Sequence, residues 1–213
     1  MSDQSSAKPR RGLLAWALWG VAVFGGAAVL YIIVQASTKP ASERTAPAAP
    51  QSAAATGGKS LAEKLTRPAA PTPGPDYVFY DEAGKPVKIA DLKGKVVIMN
   101  IWATWCAPCK VEMPTLAKLQ AAYAGKPVEV VTVSIDSVED ATKARLFIAQ
   151  NDPLKFYHDR EAKIPWALQP AALGAPTTVI YGKDGLERAR IAGEADWSGP
   201  EARALVDEAL AAS

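Results

Sequence analysis

The sequence is poor in the residues that build scaffolds from sulfur or metal. Cys106 and Cys109 are the only cysteines in 213 residues, and His158 is the only histidine. Two cysteines cannot staple a small fold, and a ring closed over so short a spacing removes little entropy from the unfolded chain. Two thiols and one distant histidine fall short of the four ligands usual in a structural zinc site, which leaves metal binding a minor alternative. An excess of one charge is also missing. With 24 Lys and Arg against 22 Asp and Glu, and no basic cluster beyond the N-terminus, the chain carries no electrostatic footprint for nucleic acid. Internal repeats are absent.

Both cysteines stand in WATWCAPCKVEMP at 102–114. A strongly apolar run precedes them, Pro108 lies between them and a helical pattern follows. With a structural bridge and a metal site both poorly served, the chemical reading remains: a dithiol that opens and closes.

The N-terminus bears on the compartment. Residues 12–38 hold no charged side chain, and the apolar run GLLAWALWGVAVFGGAAVLYIIV at 12–34 exceeds the roughly 18 residues that mark a membrane span. It predicts a transmembrane signal anchor. Lys8, Arg10 and Arg11 precede it, so the positive-inside bias keeps residues 1–11 in the cytoplasm and sends the remainder outward. Trp16, Trp19 and Tyr31 lie near the two ends, where amphipathic rings favour the headgroup layer. A cleaved signal peptide is the alternative, since Val34, Gln35 and Ala36 offer peptidase spacing; the apolar run is longer than the ~7 to 15 residues of a signal core.

Residues 35–75 are rich in Ala, Pro, Ser and Thr and read as a tether. A flexible chain of roughly 40 residues reaches about 35 Å. Within it, Ser60 and Glu63 form a capping-box pattern that predicts a short helix at 61–66, docked on the domain. The remaining 76–213 have the size of one domain.

In that domain DYVFY at 76–80 and VVIMNIW at 96–102 suit strands, the second buried on both faces. Met113, Leu116, Leu119 and Tyr123 recur at helical spacing, predicting a helix over about 109–124 with Pro114 inside it. VEVVTVSI at 128–135 predicts a second buried strand, and Ala141, Ala144, Phe147 and Ile148 a further helix. Strand, helix, strand in this order argues for a parallel pair. TTVIY at 177–181, a turn at Asp184 and Gly185, and LERARIA at 186–192 then predict an antiparallel hairpin. A helix carrying Ala202, Leu205, Val206, Ala209 and Leu210 on one face closes the chain. The expected class is α/β, a mixed sheet flanked by helices, with an N-terminal transmembrane helix.

These residues resemble the thioredoxin superfamily over essentially all of 76–212. WATWCAPCK at a strand-to-helix junction matches its redox motif, Pro114 its helix proline, and GAPTTVIYGKDG the segment carrying its cis-proline. CKVEMP, with an anchor and tether ahead of it, is similar to the TlpA-like branch of membrane-bound bacterial thiol reductases. One departure stands out: ordinary thioredoxin has a buried aspartate where this chain has Asn100, and an amide takes no proton. The resemblance implies that Glu112 takes that role. Glu112 follows Cys109 by three residues and shares its helix face; from the residues alone, a solvated surface glutamate is the stronger reading.

The resemblance also implies a fold, thioredoxin-like, and a site. Cys106 at a helix N-terminus is the attacking sulfur and Cys109 the resolving one, with Trp105, Ala107 and Pro108 flanking them. A cis Ala175-Pro176 bond is expected to present the Ala175 backbone to an extended substrate segment. Tyr157, His158 and PWALQP at 165–170 are candidates for the groove rim, though packing better explains Trp166 and a surface position His158. No metal and no cofactor beyond the redox-active disulfide is expected.

The function so implied is a thiol-disulfide reductase in the bacterial inner membrane, single-pass, with its catalytic domain in the periplasm. Its expected substrates are disulfide-bearing proteins of respiratory-enzyme assembly: copper-assembly factors or an oxidase subunit in cytochrome oxidase copper-site maturation, with apocytochrome c in cytochrome c maturation as runner-up. Besides the lipid bilayer, an integral-membrane dithiol donor is the expected partner. Three rivals stay open, an oxidase, a peroxidase and a non-enzymatic copper-binding chaperone.

Overall fold

A computed structural model describes residues 60–212. The expected anchor at 12–34, the cytoplasmic segment 1–11 and the first part of the tether lie outside the described residues. Among the described residues no helix is long and apolar enough to cross a membrane.

Two stretches of β-branched residues form the centre of the sheet. VVIMNIW becomes β4 (Val96–Trp102) and VEVVTVS becomes β5 (Val128–Ser134), each buried at all seven positions. Such continuous apolarity needs cover on both faces, as parallel strands have. β4 and β5 pair in parallel, from Val96 opposite Val128 to Trp102 opposite Ser134, with α2 (Ala107–Ala122) between them in the chain. The helix α3 (Ala141–Ala149) leads on to β6 (Lys155–His158), parallel to β5. β6 is not foreseen from sequence, since four residues are too few for a period to show.

The expected hairpin forms from β7 (Thr177–Tyr181) and β8 (Glu187–Ala192). Its turn has Gly185 at φ 81°, a conformation that costs glycine little. β7 lies antiparallel to β4, with Asn100 opposite Thr178 and Ile101 opposite Thr177. Gly199 and Pro200 start α5 (Pro200–Ala211), which buries Ala202, Val206 and Ala209.

The expected helix at 61–66 is shorter than its pattern. The capping box forms, with Glu63 N–H on Ser60 Oγ and Ser60 N–H on the Glu63 carboxylate, and α1 (Leu61–Lys64) follows. The next two residues leave the helix to make β1 (Leu65–Thr66), which pairs antiparallel with β8. Leu61 is buried in the core. Pro73 then bridges Leu186, and Glu187 N–H reaches Thr72 O at 2.8 Å. The domain boundary expected at residue 76 therefore falls inside the described fold. The strand expected at 76–80 contracts to β2 (Phe79–Tyr80), which meets β3 (Pro86–Val87) and a single residue of β6.

The full sheet runs β1-β8-β7-β4-β5-β6-β2-β3, mixed as expected. Alternation along β4 divides two cores. Ile98 and Trp102 join Met113, Leu116, Ile148, Trp197 and Val206 in one. Val97, Met99 and Ile101 join Phe79, Ile89, Tyr157, Ile164 and Tyr181 in the other, where the short α4 (Ile164–Ala167) also packs. The site lies at the C-terminal end of β4, where the first core meets α2.

Candidate redox site

Trp102 ends β4, and three residues of loop carry the chain to Cys106, which caps α2. The loop is held by a buried carboxylate. Asp136, just past β5, accepts from Thr104 N–H at 3.1 and 3.0 Å, from the Thr104 hydroxyl at 2.7 Å and from the Ser134 hydroxyl at 2.8 Å. Its backbone carbonyl faces His158 Nε2 at 2.9 Å. The parallel pairing of β4 and β5 puts these groups side by side.

Cys106 and Cys109 are joined in a disulfide. Cys106 has extended backbone angles, and its Sγ accepts from Cys109 N–H at 3.3 Å, one of the donors that the start of a helix leaves unpaired. Six per cent of Cys106 is exposed and none of Cys109. Pro108 sits in the first helical turn, where a missing donor costs nothing, and Ala107 and Pro108 face solvent beside the strongly exposed Trp105. The helix starts two residues earlier than its apolar spacing indicates, and it continues through Pro114.

The Ala175-Pro176 bond is cis, as expected. Extending the β4–β7 register by one step sets Pro176 beside Trp102, and Ala175 packs against the core cluster that contains Ala103, Cys106 and Cys109. The two cysteines and Ala175-Pro176, far apart in sequence, meet at one end of the sheet.

Glu112 is not the solvated surface residue that its type favours. It is one per cent exposed, one turn beyond Cys109 on the inward face of α2. Three donors hold it. Asn100 Nδ2 binds Oε1 at 2.7 Å, while Ala195 N–H and the Trp197 indole N–H bind Oε2 at 3.0 and 3.2 Å. Burial disfavours the anion and pushes the carboxyl up to about 7, with Glu194 adding to the rise and the three hydrogen bonds opposing it. A carboxyl so placed changes charge near neutral pH, as a proton acceptor must.

Other expectations for the rim are reversed. His158 is buried, not at the surface, because β6 carries it into the sheet opposite Tyr80. Trp166 is exposed rather than packed, since α4 turns Ile164 and Pro165 inward instead. Tyr157 is in the second core, its hydroxyl on the Glu129 carboxylate at 3.0 Å. Among the described residues no three His, Cys, Asp or Glu side chains gather as metal ligands. Sequence reasoning missed Asp136, Thr178, Ala195 and Trp197; only Asn100, as a departure from the family pattern, marked the place where the last three gather around Glu112.

The chain is similar to proteins named as thiol-disulfide oxidoreductases. The Redoxin family model matches residues 69–206. The thiol-disulfide oxidoreductase ResA of a Bacillus cereus strain is 39% identical over 122 residues, which are 56% of this chain and 68% of the relative. ResA of Bacillus subtilis (strain 168) is 32% identical over 112 residues, 52% of this chain and 60% of the relative. Among solved structures, a thioredoxin-family thiol:disulfide interchange protein from Chlorobium tepidum TLS superposes with a TM-score of 0.53 at 26% identity, over 67% of this chain and 99% of that one.

Proposed function

The chain belongs to the Redoxin family and is a thiol-disulfide oxidoreductase, and from this premise we propose that it works as a reductase whose resolving step is driven by Glu112. The observation that carries the reading is the buried carboxylate one turn past a buried cysteine.

The reduced protein holds Cys106 as a thiolate, stabilised by the N-terminal dipole of α2 and the N–H of Cys109. This sulfur attacks one sulfur of a substrate disulfide, and the substrate's other sulfur leaves as a thiolate. Ala175, beside cis-Pro176, offers its backbone to the substrate segment, and Trp105, Ala107 and Pro108 form the surface around the exposed edge of Cys106. Cys109 then gives its proton to Glu112 and attacks Cys106 Sγ. The mixed disulfide breaks, the substrate departs as a dithiol after taking up protons, and the protein is left oxidised by two electrons. No cofactor besides this disulfide takes part.

Recharging requires a dithiol donor. The apolar run at 12–34 behind Lys8, Arg10 and Arg11 supports a single-pass anchor with the domain in the periplasm, where that donor is an integral-membrane protein. The substrates are copper-assembly factors or an oxidase subunit, whose cysteines must be reduced before metal binds; apocytochrome c is the second choice.

Trapping tests the whole reading. Cys109→Ser in the full-length protein is expected to stall with the substrate covalently held on Cys106, released by a thiol reductant. Recovery of respiratory assembly proteins supports the assignment; capture of a broad set of folding secreted proteins replaces it with a general isomerase or oxidase role. A membrane-impermeant protease should shave the domain from spheroplasts and leave a bound stub. Protection of the domain, or its recovery in soluble cleaved form, would refute the anchor.

A further inference from the structure

Trp197 is the unexplained residue of the site. It belongs to the loop at 193–199 between β8 and α5, yet no part of it is exposed. Connecting segments run over the surface because buried backbone needs partners. Here the partners come from α2. Trp197 N–H donates to Thr115 Oγ1 at 3.0 Å, and that hydroxyl donates to Glu112 O at 2.7 Å. Ala195 N–H and the Trp197 indole N–H both end on Glu112 Oε2. The loop is thus fastened to one oxygen of one carboxylate and to the hydroxyl three residues further along the helix.

The two carboxylate oxygens are consequently unlike. Oε2 receives two donors, as many as its two lone pairs accept. Oε1 receives one, from Asn100 Nδ2. We propose that Trp197 is a positioning residue of the exchange reaction: with Ala195 it saturates Oε2 and reserves Oε1 as the atom that takes the proton of Cys109. A proton on Oε1 then needs an acceptor of its own. Asn100 supplies it, because its Oδ1 is buried without a hydrogen-bond partner and a half-turn of the amide, which takes Nδ2 off both Oε1 and Thr178 Oγ1, puts that oxygen in its place.

The inference rests on the reading of Glu112 as the proton acceptor. In the step concerned, the Cys109 S–H bond breaks, its proton passes to Oε1, Cys109 Sγ bonds to Cys106 Sγ, and the substrate sulfur leaves with the electron pair of the mixed disulfide. Trp197 forms and breaks no covalent bond. It fixes which oxygen reacts, and the pH at which that oxygen is free to do so. The groups facing the carboxylate are few. Along α2, Cys109 lies one turn before it; Glu194 comes from the loop, and β4 presents the neutral Asn100, itself bound to the neutral Thr178 of β7. Asp196 and Lys118, which act on each other, lie further along the loop and the helix.

The test is the pH profile of mixed-disulfide resolution in the full-length protein, with a disulfide-bearing peptide as probe. Trp197→Phe keeps an aromatic ring but removes the N–H. Losing a hydrogen bond to a charged group is expected to move the rising limb of the profile up by roughly one pH unit. Thr115→Val cuts the loop's other fastening and is expected to lower the melting temperature while leaving the limb in place. Glu112→Gln is expected to abolish the limb. If Glu112→Gln leaves the limb intact, the reading of Glu112 fails; if it removes the limb but Trp197→Phe does not move it, the role of Trp197 fails. A second measurement needs no variant at Trp197. In the reduced protein labelled with 15N-tryptophan, the Trp197 indole resonance is expected to titrate near neutral pH and to stop doing so in Glu112→Gln. A resonance indifferent to pH in both proteins would overturn the proposal.

Discussion

Asn100 spends one amide hydrogen on Glu112 Oε1 at 2.7 Å and the other on Thr178 Oγ1 at 2.8 Å, so the centre of the sheet carries a polar string from β7 through β4 to α2. An amide is the one small side chain that donates twice here without adding charge. Asn100→Asp replaces a donor with a second acid, and two carboxylates at hydrogen-bond distance cannot both ionise cheaply. We expect the variant to be destabilised by on the order of 2 kcal/mol at pH 8 and by much less at pH 5. Denaturant midpoints at the two pH values decide this; equal losses would show that the string tolerates charge.

Glu112 makes the oxidised wild-type protein itself pH-sensitive. Its carboxyl sits at about 7 when folded against 4.5 in the open chain, so between these values the native state binds more protons than the unfolded state. Stability from this group is complete below pH 4.5 and is lost as pH rises through about 7. At about 1.4 kcal/mol per unit, the interval is worth roughly 3 kcal/mol. The difference in unfolding free energy between wild type and Glu112→Gln should therefore change across the window, with wild type losing stability toward the alkaline side. Parallel curves would assign the pH response to other groups.

The two cysteines should differ in reactivity once reduced. Cys106 keeps an exposed edge and its sulfur accepts from the Cys109 N–H, whereas Cys109 is fully covered. A helix N-terminus stabilises an anion, so the exposed sulfur is the one expected to react as a thiolate. Limited iodoacetamide followed by mass mapping should find the label almost entirely on Cys106. Equal labelling would remove the assignment of attacking and resolving sulfurs.

Asp136 is expected to matter for stability more than its distance from the sulfurs implies. Its removal leaves Thr104 N–H and two hydroxyls buried with no acceptor. Asp136→Ala should cost about 3 kcal/mol, and Asp136→Asn, which retains an acceptor oxygen, clearly less. Chemical denaturation of the oxidised proteins measures both. A cost below about 1 kcal/mol would mean that water replaces the carboxylate.

The frame of this molecule is legible in its sequence because its central strands are continuous apolar runs. Val96–Trp102 and the hairpin strands announce themselves, and the helix between the parallel strands follows from Met113, Leu116 and Leu119. Short elements escape. β6 has four residues, and β1 emerges where a helical pattern was still running. In the site, the cysteine spacing is visible at once, but the state of Glu112 is not. Its burial is made by Asn100 on β4 and by Trp197, 85 residues away on a loop with no periodicity to read. Residue type misleads for His158 and Trp166 because their exposure is decided by which short element carries them.

The pairing of residues 65–74 along β8 also bears on how this protein avoids itself. A sheet ends in a row of unsatisfied N–H and C=O groups, and a second copy is an obvious partner for them. At the far side the risk is small, since β3 is two residues long and begins with Pro86. At the near side, β8 has six residues with Arg190 and Ile191 in the ladder, and among the described residues Leu65, Thr66, Arg67, Thr72 and Pro73 stand along that edge. A chain cut at residue 76 keeps both cysteines and Glu112 yet bares that edge, inviting strand-to-strand assembly between copies. The segment that looks like the last of a leash is also the sheet's guard against its own kind.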